Sequence, residues 1–161
     1  MKIGIISDTH DNLSNVEKAL EILKQHNTEK IIFAGDLVSP FVINIFKKFN
    51  QKVIGVFGNN EGEKVFIKQK FSEIGEIFDG ATTFQLDNKK FFLTHYDHIA
   101  IPLFGHSDFD YIIYGHTHKI DIQKNQNQML INPGECCGLL TGKASIVILD
   151  TVQNEAELIY I

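Results

Sequence analysis

Two mixed β-sheets packed as a sandwich, with helices on the outer faces (an αββα arrangement in the α/β class), are predicted by three features of the 161-residue sequence. The first half alternates short apolar strand segments with helical stripes, which implies a parallel sheet with crossover helices. The second half changes to paired strand segments joined by polar turns. No long linker, repeat or low-complexity stretch interrupts the chain, so residues 1–161 are read as one domain.

Lys2 to Ser7 is a short continuous apolar run and reads as a buried strand. Leu13 to Gln25 carries apolar residues at 13, 16, 20 and 23, a helical stripe, with Asn12 as its N-cap. Lys30 to Ala34 is a second strand, ending at Gly35-Asp36. Pro40 to Lys48 reads as a helix with Ser39 as N-cap and Pro at the first helical position. Lys52 to Phe57 is a third strand ending at Gly58-Asn59, and Glu61 to Phe71 a third helix. Ala81 to Leu86 and Lys90 to Thr94 flank Asp87-Asn88-Lys89, a hairpin signal. Tyr111 to Tyr114 is a strand ending at Gly115-His116; Lys119 to Gln123 and Gln128 to Ile131 flank a polar turn; Ala144 to Leu149 and Glu155 to Ile161 form a last hairpin.

Composition narrows the function. A net charge of −5, from 15 basic and 20 acidic residues, gives no basic footprint for nucleic acid, so no nucleic-acid partner is expected. Bound divalent cations would still attract phosphate to a negatively charged protein. No run approaches the roughly 18 apolar residues of a membrane span, and the N-terminus reads as neither signal nor anchor. No membrane partner is expected, and a cytoplasmic location is. The two cysteines, Cys136 and Cys137, are adjacent, and neighbours rarely form an unstrained disulfide, which suits a reducing compartment.

Five polar clusters stand at the C-terminal ends of the expected strands: Asp8-Thr9-His10, Gly35-Asp36, Gly58-Asn59-Asn60, Thr94-His95 and Gly115-His116-Thr117-His118. In open α/β sheets, ligands bind outside those ends, so five clusters can converge on one place. Asp, His and Asn supply oxygen and imidazole nitrogen without thiolate, a set that suits Mn, Fe, Zn, Ni or Co. Asp8 and His10, like His116 and His118, are two apart; in extended backbone such residues point the same way, so each pair can serve one site.

In order and spacing the series Asp-x-His, Gly-Asp, Gly-Asn, lone His and Gly-His-x-His resembles the calcineurin-like metallophosphoesterase superfamily, most closely its small bacterial and archaeal phosphodiesterases. The resemblance runs from Asp8 to His118, with a continuation at Asn132-Pro133-Gly134. It implies a phosphodiesterase that hydrolyses a small phosphate ester with a hydroxide bridging two divalent ions, Mn or Ni foremost. Asp8, His10, Asp36 and His118 would hold the first ion; Asp36, Asn59, His95 and His116 the second, with Asp36 as the bridge. The alternatives are a phosphomonoesterase of the same fold, or a protein-binding scaffold similar to the retromer subunit of this superfamily. Small relatives form dimers or tetramers, so a homo-oligomer is expected.

Two positions depart from the family pattern. Many relatives have His directly after the Gly-Asn asparagine, where it helps the leaving group depart; here Asn60 stands, and Asn is no general acid at neutral pH. His98 is the nearest substitute acid, the other reading being a solvent-facing loop histidine. Catalytic candidates are thus Asp36, Asn59, Asn60 and His98. The second departure is Glu135, where similar enzymes often have Ser; it is read as a loop carboxylate, with a place facing the active site as the alternative.

Overall fold

The computed structural model describes Met1–Ile161. Eleven strands form two sheets. Sheet one holds β1 (Lys2–Ile6), β2 (Lys30–Phe33), β3 (Lys52–Val56), β4 (Gly75–Phe78), β10 (Ser145–Asp150) and β11 (Glu155–Tyr160), in the order β11-β10-β1-β2-β3-β4. Sheet two holds β5 (Ala81–Leu86), β6 (Lys89–Thr94), β7 (Tyr111–Ile113), β8 (Ile120–Lys124) and β9 (Met129–Pro133), in the order β5-β6-β7-β9-β8. Strands β1 to β4 run parallel, as do β6, β7 and β9, while β10 and β11 at one end of sheet one and the edges β5 and β8 of sheet two pair antiparallel. The inner strands are nearly continuous apolar runs because both of their faces are covered. Edge strand β5 alternates instead, with every second residue exposed.

The two sheets meet over Ile3, Ile5, Ile32, Val56, Phe91, Leu93, Tyr111, Ile113, Ile131, Val147 and Leu149. The outer face of sheet one is covered by α1 (Leu13–Gln25), α2 (Phe41–Phe46) and α3 (Lys64–Phe71). Helix α1 buries Val16, Leu20 and Leu23 of the stripe read from sequence, together with Ala19, while Leu13 at its first turn is exposed; the Asn12 side chain caps it by accepting from the Asn15 N–H at 3.3 Å. Over the outer face of sheet two, α4 (Asp97–Ala100) and the 3₁₀ turn Ile101–Leu103 pack on Ile112, Tyr114 and Leu130. No helix is long and apolar enough to cross a membrane.

Several expected boundaries move. Pro40, not Ser39, occupies the N-cap of α2, and no side chain caps it; the Ser39 hydroxyl donates to Asp11 instead, at 2.7 Å. Helix α3 starts at Lys64 rather than Glu61, because the Glu61 carboxylate is drawn back to two loop N–H groups. Strand β4, which pairs with β3, was not expected; its Gly-Glu-Ile-Phe has one buried side chain and carries little apolar pattern. The hairpin between β5 and β6 turns on Asp87 and Asn88 alone, both at positive φ (52° and 58°), as a tight primed turn requires.

Candidate metal centre

Parallel strands in both sheets put their C-terminal ends on one edge of the sandwich, and the five polar clusters meet there. Their loops are laced together by backbone. Asp8 N–H donates to Gly35 O (3.0 Å), Thr9 and His10 N–H to Asp36 O (3.1 Å each), and Gly115 N–H to His95 O (3.1 Å). Cys136 and Cys137 N–H close the mesh on Ser7 O and Asp8 O, at 2.9 and 3.0 Å. Asp8, His10, Asp36, His116 and His118 all sit at φ between 38° and 68°, a left-handed backbone uncommon outside Gly and retained where surrounding contacts over-determine it.

Two motif glycines are required by close approach. Gly35 has φ +98°, and a Cβ there would meet the His95 ring, with Nδ1 at 2.5 Å. At Gly115 a Cβ would collide with the Ser7 hydroxyl and come within 2.8 Å of Asp8 Oδ2.

Inside this mesh, ligand-type atoms of Asp8, His10, Asp36 and His118 lie within 4.8 Å of one another. His118 Nε2 is 3.5 Å from Asp8 Oδ1; His10 Nε2 is 3.4 Å from Asp36 Oδ2 and 3.9 Å from Asp8 Oδ1. The His10 and His118 rings stack at 5.0 Å. On the far side of Asp36, His95 Nε2 lies 3.5 Å from Oδ1 and 3.0 Å from Asn59 Oδ1. The His116 ring packs edge-on against His95, centroids 5.1 Å apart. Asp36 therefore stands between two groups of donors, one of its oxygens toward each.

The hydrogen bonds behind the histidines point their free nitrogens inward. His95 Nδ1 is 2.7 Å from the Ala34 carbonyl, and His118 Nδ1 is 2.8 Å from Glu135 Oε2. Those partners only accept, so in each neutral ring Nδ1 carries the proton and Nε2 turns a lone pair into the cluster. Lone pairs then face carboxylate and amide oxygens with no donor between them. Asp8 Oδ1 and His10 Nε2 are buried there with no hydrogen-bond partner. A buried acceptor cluster of this kind is costly unless a positive charge enters it. Divalent cations are the group it fits.

The titration tendencies agree. Burial pushes the His95 pKa down, but the Asp36 and Asp8 carboxylates outweigh it and the net shift is upward. Burial opposes the charge on Asp36; His95 and the two Asn60 donors overcome it and hold the carboxyl below the usual range. At Asp8 burial prevails and the pKa rises. Metal binding would displace any protons that Asp8 and His95 hold.

Asn60 turns inward at its backbone: its N–H and Nδ2 donate to Asp36 Oδ1 and Oδ2, at 2.9 and 2.7 Å. His98 is not among the clustered groups. Its side chain is 72% exposed, 3.8 Å from Asp97 Oδ1, and it meets the site only through Tyr96, whose ring lies 5.5 Å from both His98 and His116. Glu135 corrects the reading from sequence: it is fully buried, not a solvated loop carboxylate, and it touches a candidate ligand.

Glu61 was missed altogether. It is buried, and its carboxylate accepts from Leu37 N–H (2.9 Å) and Gly58 N–H (2.7 Å), tying the loop after β2 to the loop after β3. Burial, the first influence, raises its pKa, and nearby Asp36 adds to that, while the two N–H groups oppose. Glu61→Gln turns one acceptor into an NH₂ facing an N–H donor. Leaving a buried donor unsatisfied costs about 1–3 kcal/mol. Denaturant unfolding of the metal-free protein should show that loss; a change under about 0.5 kcal/mol, the scatter of ordinary surface substitutions, would contradict the tie.

Comparison with known proteins points the same way. A family model described as the calcineurin-like phosphoesterase superfamily domain matches residues 1–154. The phosphodiesterase MJ0936 of Methanocaldococcus jannaschii is 44% identical over 159 residues, covering 96% of each chain. A solved structure of a novel archaeal phosphodiesterase superposes with a TM-score of 0.93 at 42% identity, covering 100% of both chains. Vps29 of Entamoeba histolytica complexed with Zn²⁺ has a TM-score of 0.70 at 18% identity, covering 100% of this chain and 98% of that one, which shows a shared fold.

Proposed function

The chain belongs to the calcineurin-like phosphoesterase superfamily, and from that premise we propose that it is a metal-dependent phosphodiesterase acting on a small phosphate ester, with residues 1–161 forming one catalytic domain. Asp8, His10, Asp36 and His118 hold one divalent ion, and Asp36, Asn59, His95 and His116 the other, Asp36 bridging. Mn or Ni suits this mixed oxygen and nitrogen set, as do Fe, Zn and Co. When bound, the pair supplies an activated water as nucleophile and stabilises charge on the phosphoryl oxygens. The observation that carries the reading is the set of buried acceptors that face one another, with Asp8 Oδ1 and His10 Nε2 lacking any partner.

The protein's own groups do the positioning. Ala34 O and Glu135 keep the His95 and His118 protons on Nδ1. Ser7 Oγ and His116 N–H grip Asp8 Oδ2 at 2.6 and 3.1 Å, leaving Oδ1 for the ion. His10, 21% exposed, marks the side open to substrate. A protein-binding scaffold places no demand on acceptors so arranged. The free thiols of Cys136 and Cys137 suit a cytoplasmic location, and a homo-oligomer remains part of the proposal.

Purified protein should hydrolyse bis(p-nitrophenyl) phosphate with Mn²⁺ or Ni²⁺ present, and a chelator should abolish the activity reversibly. No turnover with any divalent ion would reject the enzyme reading. Faster turnover of p-nitrophenyl phosphate than of the diester would move it to a monoesterase.

A further inference from the structure

Glu135 is a buried charge that the clustered ligands do not explain. It follows β9 and Gly134, and it has no solvent exposure. Oε1 accepts from Leu140 N–H (3.0 Å), Thr141 N–H (2.5 Å) and the Thr141 hydroxyl (2.7 Å). Oε2 accepts from Leu139 N–H (3.2 Å) and the Cys137 thiol (2.9 Å), and lies 2.8 Å from His118 Nδ1.

A serine hydroxyl at this position could hold one or two of these donors. A carboxylate answers all of them with one rigid group and places a negative charge behind His118. A carboxylate behind a metal-ligating histidine fixes ring orientation and tautomer and raises the basicity of the other nitrogen. Here that other nitrogen faces Asp8 Oδ1 at 3.5 Å. We propose that Glu135 is a positioning residue of the metal centre, setting His118 through Nδ1 so that Nε2 binds the ion shared with Asp8, His10 and Asp36. This rests on the metal-centre reading above. The same oxygens pin residues 139–141, so a purely structural role in that loop is the rival account, and the test must separate the two.

The test titrates metal-free full-length protein with Mn²⁺ by calorimetry in four forms: wild type, Glu135→Gln, His118→Ala and the double variant. Glu135→Gln is expected to weaken Mn²⁺ binding about 10–100-fold. In the His118→Ala background the same change should do nothing further, within about twofold. Equal losses in both backgrounds, or no loss in the wild-type background, would overturn the proposal while leaving the metal centre standing. A wild-type protein that takes up no Mn²⁺ would overturn the metal-centre reading and the proposal with it. If Glu135→Gln does not fold, ¹⁵N-histidine spectra of metal-free wild type decide. A proton on His118 Nδ1 supports the proposal, and a proton on Nε2 alone overturns it.

Discussion

Asp36→Asn should reduce hydrolysis of bis(p-nitrophenyl) phosphate by more than about 10³-fold, since a single electrostatic stabiliser of the transition state is worth 10²–10³ and this change removes more than one. The reason is where its oxygens point. Oδ1 is near His95 Nε2, at 3.5 Å, and Oδ2 near His10 Nε2, at 3.4 Å. One carboxylate therefore faces both candidate ion positions, and its negative charge would offset the mutual repulsion of two cations held there. Asparagine keeps the shape but loses the charge, and one of its two terminal atoms becomes a donor facing lone pairs. Metal content after dialysis, measured by elemental analysis, should fall with activity. The fold should survive, because the backbone bonds to Gly35 O and Asp36 O still lace the loops and asparagine keeps one acceptor oxygen for the Asn60 donors. Full activity with full metal content would mean that the bridge is some other group.

How much of this was legible beforehand depended on the kind of pattern each part leaves. Helix α1 was read to its ends, because a stripe and an Asn12 cap are local features. The buried strands β1, β2 and β3 were read from apolar runs that end in polar clusters. The residues now gathered at the strand ends carry recognisable chemistry: a carboxylate two residues from a histidine, a glycine before a ligand-type residue or, at His95, a lone histidine ending a strand. The misses have a common cause. Glu61, read as the first residue of a helix, owes its place to Leu37 and Gly58, and Glu135, read as loop, owes its burial to N–H groups at residues 139–141. A buried carboxylate is specified by donors that fold around it, and backbone donors leave no trace in residue type. His98 looked closer to the site in sequence than it is in space, because α4 turns it to solvent beyond Tyr96.

That displacement of His98 sharpens the question of the leaving group. No imidazole beyond the clustered ligands stands beside Asn60, and an amide cannot donate a proton at neutral pH. The enzyme should then favour diesters whose leaving groups depart without protonation, and its rates should fall steeply as the leaving-group pKa rises. Asn60→His is expected to change that slope. The backbone N–H of residue 60 would keep its bond to Asp36 Oδ1, so only the Nδ2 bond to the charged Oδ2 is lost, at about 1.5–3 kcal/mol. Asn60 is exposed, which leaves room for an imidazole at the mouth of the site. Protonation of a departing oxygen contributes about 10²–10⁴-fold, so gains of that order belong to poor leaving groups, and p-nitrophenyl diesters should change little. The sign with pH follows from the acid role. Imidazolium donates below its pKa, so the gain should be present at mildly acid pH and vanish as pH rises through the histidine pKa. His98→Ala should leave the wild-type slope unaltered. A plot of log rate against leaving-group pKa for the three proteins checks all of this. Parallel lines for wild type and Asn60→His would place the proton donor elsewhere, and a steeper line for His98→Ala would give that role to the exposed histidine after all.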